Sequence, residues 1–97
     1  MWKENSKYKK IYDSIVERAT TLERKKGFGV YFEKHHVVPL SLGGERVSTN
    51  EVLLTGREHF LCHWLLVKGL VDTKNINKMK YALWRMTNLP IRGERII

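Results

Sequence analysis

Apolar residues recur along this chain with two different periods, and the changes between them mark where elements begin and end. From about Asn5 to Lys25, Tyr8, Ile11, Ile15, Ala19 and Leu22 fall on one face of a helix, with mostly Lys, Arg and Glu on the other. Gly27 and Gly29 end that pattern. Val30-Tyr31-Phe32 then reads as a strand running into His35 and His36, stopped by Pro39 and Gly43-Gly44. Residues 41–50 read as loop, and Val52-Leu53-Leu54 as a short second strand. Thr55-Gly56-Arg57-Glu58 has the form of a capping box, in which Thr55 and Glu58 accept from each other's amides. The helix it opens spans about 56–68 and stops near Gly69, with Phe60, Trp64 and Val67 as the stripe expected to face the core. Ile76, Met79, Leu83 and Met86 mark a last helix over about 74–87, ended before Pro90. The order helix, strand, loop, strand, helix, helix predicts a small α+β fold without internal repeats.

Length and charge narrow the picture. Ninety-seven residues make one domain, 1–97, with a modest core. At 42% hydrophobic and 29% charged the chain reads as folded and soluble. No apolar run of about 18 residues and no signal-peptide pattern occurs, so no membrane partner is expected. The single Cys62 excludes an intrachain disulfide and points to a reducing, cytoplasmic setting. The net charge is +8, with a pI near 9.8, which suits a polyanionic partner such as nucleic acid or an anionic membrane surface. Residues 1–26 hold eight Lys/Arg against four acids, and 68–97 hold seven against two. The middle, 27–67, holds three against four and contains all four histidines. Basic arms therefore flank a neutral, histidine-bearing centre. A solvated basic surface without a partner is the plainer account of the charge alone.

His59 and His63 are i and i+4 on the central helix, so both imidazoles leave one face a turn apart. This is a common way to offer two nitrogens to one metal, although a pair of partly exposed helix histidines would look the same. The metalloprotease motif with this spacing needs Glu directly after the first histidine, and Phe60 stands there. His35 and His36 change the balance. If the strand packs over the helix, one of the two faces His59 and His63 and completes a three-nitrogen site. Its neighbour points elsewhere and is free to act on a water molecule. A flat strand would separate the two widely, so a twist or bulge between them is expected, or a scissile group lying across the strand's edge.

These residues resemble the HNH nucleases with the ββα-metal (His-Me finger) fold, most closely the phage-borne, homing-type branch. The likeness rests on Glu33-Lys34-His35-His36-Val37-Val38-Pro39, Ser41-x-Gly43-Gly44, Asn50, and Leu54-Thr55-x-Arg57-Glu58-His59-x-x-x-His63. Tyr81-Ala82-Leu83-Trp84-Arg85-Met86 is similar to the helix that follows the motif, and the likeness covers about residues 8–88. It implies a metal-dependent DNA endonuclease with a ββα-metal core at 30–68, between a basic N-terminal helix in 1–26 and a C-terminal helix at 74–88. His35, His59 and His63 would hold one divalent metal ion, and His36 would be the general base. Asn50 would hold the loop and orient His36. Glu33 would hydrogen-bond within the site, and Arg57 would touch a phosphate. Hydrolysis would leave 5′-phosphate and 3′-hydroxyl ends on double-stranded DNA.

Many members of that family carry an acid where His35 stands, and Asn or His where His59 stands. An all-histidine set is more nitrogen-rich and favours Zn²⁺ or Ni²⁺, with Mg²⁺ or Mn²⁺ expected for activity. One such site cuts one strand, so a monomer or weak homodimer would nick. The main alternative is a non-catalytic nucleic-acid-binding module whose histidines hold a structural metal. It leaves the spare His36 unexplained, because structural sites are closed. A metal-free phage assembly protein with a basic surface is the third reading.

Overall fold

The computed structural model describes residues 1–88, and the final residues of the basic C-terminal arm lie outside that range. It is a small α+β domain. Helix α1 (Lys7–Thr21) is followed by strands β1 (Glu33–His36) and β2 (Glu51–Leu54), then by helices α2 (Gly56–Gly69) and α3 (Thr73–Asn88). The two strands form one antiparallel sheet with Glu33 opposite Leu54 and His36 opposite Glu51. Helix α2 lies at the centre and touches both other helices and the sheet. No helix among the described residues is long and apolar enough to cross a membrane.

Local signals place the helix ends. Ser6 caps α1 by accepting from the Lys9 amide at 3.2 Å. The capping box of α2 is fully formed: Glu58 N–H donates to Thr55 Oγ1 at 3.1 Å, and Thr55 N–H donates to Glu58 Oε1 at 2.9 Å. Such a cap stabilises a helix by about 1 kcal/mol. Asp72 precedes α3 and accepts from the Lys74 amide at 2.8 Å. Near the chain start, Lys3 N–H donates to the Gly69 carbonyl at 2.8 Å, and Trp2 bridges to Leu70. A Cβ on Gly69 would stand 2.5 Å from the Trp2 ring, so only glycine lets the two segments meet.

The buried faces differ from those the periodicity suggests. On α1, Tyr12 and Ala19 are buried with Tyr8, Ile15 and Val16 packed beside them, while Ile11 and Leu22 are about half exposed. The inward arc is rotated toward Tyr12 because α2 and β2 together cover that side. On α2 the core residues are Cys62, Leu65, Leu66 and Gly69. Val67 packs at the edge of the core, Phe60 is half-buried and Trp64 is exposed against solvent. With α1 and α3 on either side of α2, the covered arc runs through Cys62 and Leu66, and it carries His59 and His63 with it.

The first strand is also shorter than its composition suggests. Val30 is exposed and Tyr31-Phe32 lie before the ladder, because β2 offers only four residues to pair with. The register is one-to-one through His35 and His36, so the expected bulge is absent. Inside the connecting loop, Leu40–Leu42 and Ser48–Asn50 form short 3-10 turns.

Candidate metal centre and adjoining cleft

Alternation along β1 buries Glu33 and His35 and leaves Lys34 exposed. His35 thus points onto α2, where His59 and His63 meet it. The three ring centroids lie 5.0 to 5.2 Å apart, and one nitrogen from each falls within 4.8 Å of the others. Two nitrogens on one tetrahedral ion sit about 3.3 Å apart, so small side-chain rotations bring this set onto a single ion.

Two of the three rings, His35 and His59, are held by a hydrogen bond at one nitrogen. Tyr12 Oη lies 2.6 Å from the Val37 carbonyl and 2.7 Å from His35 Nε2. A phenol has one proton and a carbonyl has none to give, so Tyr12 donates to Val37 and accepts from His35 Nε2–H. That leaves the lone pair of His35 on Nδ1. On α2, the Glu33 carboxylate accepts from His59 Nδ1 at 2.8 Å, while its other oxygen accepts from Tyr31 Oη at 2.5 Å. His59 therefore keeps its lone pair on Nε2. Histidines oriented in this way by a carboxylate or a hydroxyl are pre-set to bind metal.

Electrostatics discourage protonation of His35. Burial, then the neighbouring His59, His63 and His36, push His35 down to about 2. Burial raises the Tyr12 phenol, with Cys62 and Asp13 adding to the effect, so it stays a neutral donor. Burial also lifts the Cys62 thiol to about 12, which makes it an inert core residue and not a thiolate ligand.

His36 points to the opposite side of the strand from His35, with its side chain one-fifth exposed. Its Nε2 is enclosed and stands 3.4 Å from Glu51 Oε2, the residue paired with it across the sheet. All four histidines border one cleft of about 470 Å³, which is walled by Pro39 and Leu40 of the loop and by Met79, Ala82 and Arg85 of α3.

Asn50 clamps the loop. Its Oδ1 accepts from Val38 N–H at 2.8 Å, and its Nδ2 donates to the carbonyls of Val38 and Glu45, both at 3.0 Å. Its own carbonyl accepts from Val37 N–H at 2.9 Å, directly after His36. A Cβ on Gly44 would sit 1.8 Å from the Val38 carbonyl oxygen, so this clamp closes only over glycine. Arg57 is exposed on the first turn of α2 and does not border the cleft. Glu58 is held by Arg24 Nη1 at 2.5 Å and Nη2 at 3.2 Å, away from the histidines. Burial works to raise the Glu58 carboxyl, but the bonds from Arg24 and Thr55 outweigh it and hold the group below its usual value.

Three site residues went unnoticed in the sequence. Tyr12 falls outside the apolar stripe read for the first helix, and its place one turn after Tyr8 is its one weak signal. Glu51 becomes visible only once the strand register is known. Arg85 belongs to the cleft only because α3 folds back over the loop.

No family model matches the chain, and no solved structure matches it. It is similar to proteins of Enterobacteria phage T4 that bear the name probable mobile endonuclease. It is 38% identical to endonuclease D over 82 residues, 84% of this chain and 30% of that protein. With endonuclease E it shares 39% over 82 residues, 84% of this chain and 53% of that protein, and with endonuclease C 33% over 81 residues, 84% and 36%. The chain spans between about a third and a half of the length of these relatives. Its histidine centre is thus found in a chain that is homologous, over most of its length, to parts of three proteins named as mobile endonucleases.

Proposed function

We propose that this chain is a metal-dependent DNA endonuclease of the HNH type. The observation that carries the reading is the pairing of a three-imidazole centre with a fourth histidine, His36, on the neighbouring position and the same cleft. Support also comes from the names of the similar phage proteins and from the basic charge on both flanks. His35, His59 and His63 would hold one divalent ion, which would supply Lewis-acid stabilisation of charge on the phosphate oxygens.

The chain's own groups do the rest. Tyr12 and Glu33 fix the tautomers of His35 and His59. His36 is the general base. Its Nε2 is enclosed beside Glu51, so Nδ1 is the nitrogen left to take a proton from the attacking water. Glu51 stands beside Nε2 from the paired strand. Asn50 acts through the backbone, holding the loop that follows His36. Arg85, on the cleft, meets a flanking phosphate, and Arg57, outside the cleft on the first turn of α2, meets a more distant one with the help of the helix N-terminus. The substrate is double-stranded DNA, bound through its phosphates in the cytoplasm. The product is a nick with 5′-phosphate and 3′-hydroxyl ends, made by a monomer or weak homodimer.

The test is conversion of supercoiled plasmid by wild type and His36→Ala, run with EDTA, Mg²⁺, Mn²⁺, Ni²⁺ and Zn²⁺. Wild type should give open circles with metal and none with EDTA. His36→Ala should fold and bind metal but cut ~10²–10⁴-fold more slowly. DNA binding without cutting in every metal would overturn the proposal in favour of a structural-metal binding module.

A further inference from the structure

Helix α3 carries a surface that the hydrolytic centre does not use. Tyr81 and Trp84 are 60% and 51% exposed, and their rings lie near-parallel at 16° with centroids 6.1 Å apart. Burying large aromatic surface contributes to stability, so two adjacent rings left in water are a feature to explain. They stand one turn apart on the side of the helix opposite Met79 and Met86, the residues that anchor it to the core. The core therefore does not require them.

The charge around the pair is of one sign. Lys74, Lys78, Lys80 and Arg85 lie on α3, and no Asp or Glu does. Arg85 follows Trp84 and borders the histidine cleft. Lys78, one turn before Tyr81, donates to the Ser41 carbonyl at 3.0 Å and so joins the helix to the loop on the cleft's other wall. The aromatic pair thus continues the cleft's rim outward.

A partner for such a surface combines flat apolar faces with closely spaced negative charge. An unpaired stretch of nucleic acid has both, because its bases expose their faces beside the phosphates. A blunt duplex has the phosphates, but its base faces are stacked on one another. We propose that Tyr81 and Trp84 form a stacking platform for unpaired bases next to the scissile phosphate. The preferred substrate is then DNA with a locally opened strand, such as a loop, gap or displaced strand. This inference rests on the hydrolytic reading of the neighbouring cleft for the word scissile only; the binding surface stands on its own residues.

The experiment measures binding in EDTA, where no cleavage occurs, by anisotropy of three labelled DNAs: a single strand, a blunt duplex, and the same duplex with a central unpaired loop. Wild type should bind the looped duplex more tightly than the blunt one. Tyr81→Ala/Trp84→Ala should lose roughly 5- to 150-fold per stacked base on the single strand and the looped duplex. Its affinity for blunt duplex should be unchanged, and so should the slope of affinity against salt, because no charge is removed. Trp84→Phe should restore most of the loss. Both positions face solvent on a helix anchored elsewhere, and a thermal melt verifies that the variants fold.

Equal losses on all three DNAs, or wild-type affinity in the double variant, would overturn the platform. The second result would assign the face to a protein contact instead. The plasmid assay separates the two proposals. Cleavage by a double variant that binds as wild type refutes the platform alone. Loop-selective binding that depends on Trp84, without cleavage in any metal, refutes the hydrolase alone.

Discussion

Tyr12→Phe removes one oxygen and leaves the ring that packs against Trp2 and His35, at centroid distances of 5.0 and 5.8 Å. Two hydrogen bonds disappear with it, and both partners sit in or at the edge of the core. Stranding a buried donor or acceptor costs ~1–3 kcal/mol, so a loss of stability of about 2 kcal/mol is expected. The effect on metal is separate. Without an acceptor at Nε2, His35 no longer gains from carrying its proton there. The proton can move to Nδ1, where it occupies the lone pair that the ion needs. Losing the group that orients a ligand typically costs ~10–100-fold in metal affinity. The assay is competition with a chromophoric chelator for Zn²⁺ and Ni²⁺ at fixed pH. It should be combined with long-range proton–nitrogen NMR of the metal-free protein, which reads the tautomer of each imidazole. Wild type should show His35 protonated at Nε2 and His59 at Nδ1. If Tyr12→Phe keeps that His35 tautomer and wild-type affinity, Tyr12 does not set the ligand and the hydrogen-bond argument is wrong.

Two further outcomes are expected. Asn50→Ala removes three side-chain hydrogen bonds and strands the Val38 amide, a loss of about 2 kcal/mol that should lower Tm by roughly 10 °C in a domain of this size; an unchanged melt would mean that the loop does not depend on the clamp. Acid should destabilise the metal-free protein. His35 binds a proton near its ordinary value of about 6.5 when unfolded and near 2 when folded, so its stabilising contribution is complete above about pH 6.5 and is lost as pH falls toward 2. Between about pH 7 and about pH 5.5 this group alone should remove ~1.2 kcal/mol in denaturant titrations. A flat profile over that window would show that His35 is not shielded from protonation.

What could be read from the sequence was local. The capping box at Thr55, the stop near Gly69, and the i, i+4 spacing of His59 and His63 each depend on a few neighbouring residues, and each appears in the fold as expected. Helix α1 instead ends at Thr21, ahead of Gly27, and the expected stop at Pro90 lies outside the described residues. That one of the two adjacent histidines could join the helix pair was legible from the strand's alternation, while the choice of His35 over His36 came from the family resemblance. What could not be read depended on distant chain. The inward arc of α1 turns on Tyr12 and Val16 and not on Ile11 and Leu22, because the elements packed over a helix decide which side is buried. Trp64 was misplaced for the same reason: its periodicity is as apolar as that of Leu65 and Leu66, but α1 and α3 cover the other arc. The extent of β1 is set by the four residues of its partner, and Val30 finds none opposite it. The roles of Tyr12 and Glu51 are defined by residues across the fold, and no local pattern announces them.

The ties that bring the elements of the histidine centre together join remote parts of the chain. Tyr12 meets His35 across 23 positions and Glu33 meets His59 across 26; Arg24, which fixes the start of α2, meets Glu58 across 34. Each closes a long loop, whose entropy must be lost before the bond returns anything. The helices, by contrast, form from neighbours a turn apart and need no such closure. In time, therefore, this centre is expected at the end of folding, when α1, the sheet and α2 dock together and bring the histidines to one point. A partly folded chain has the residues of the site without the site.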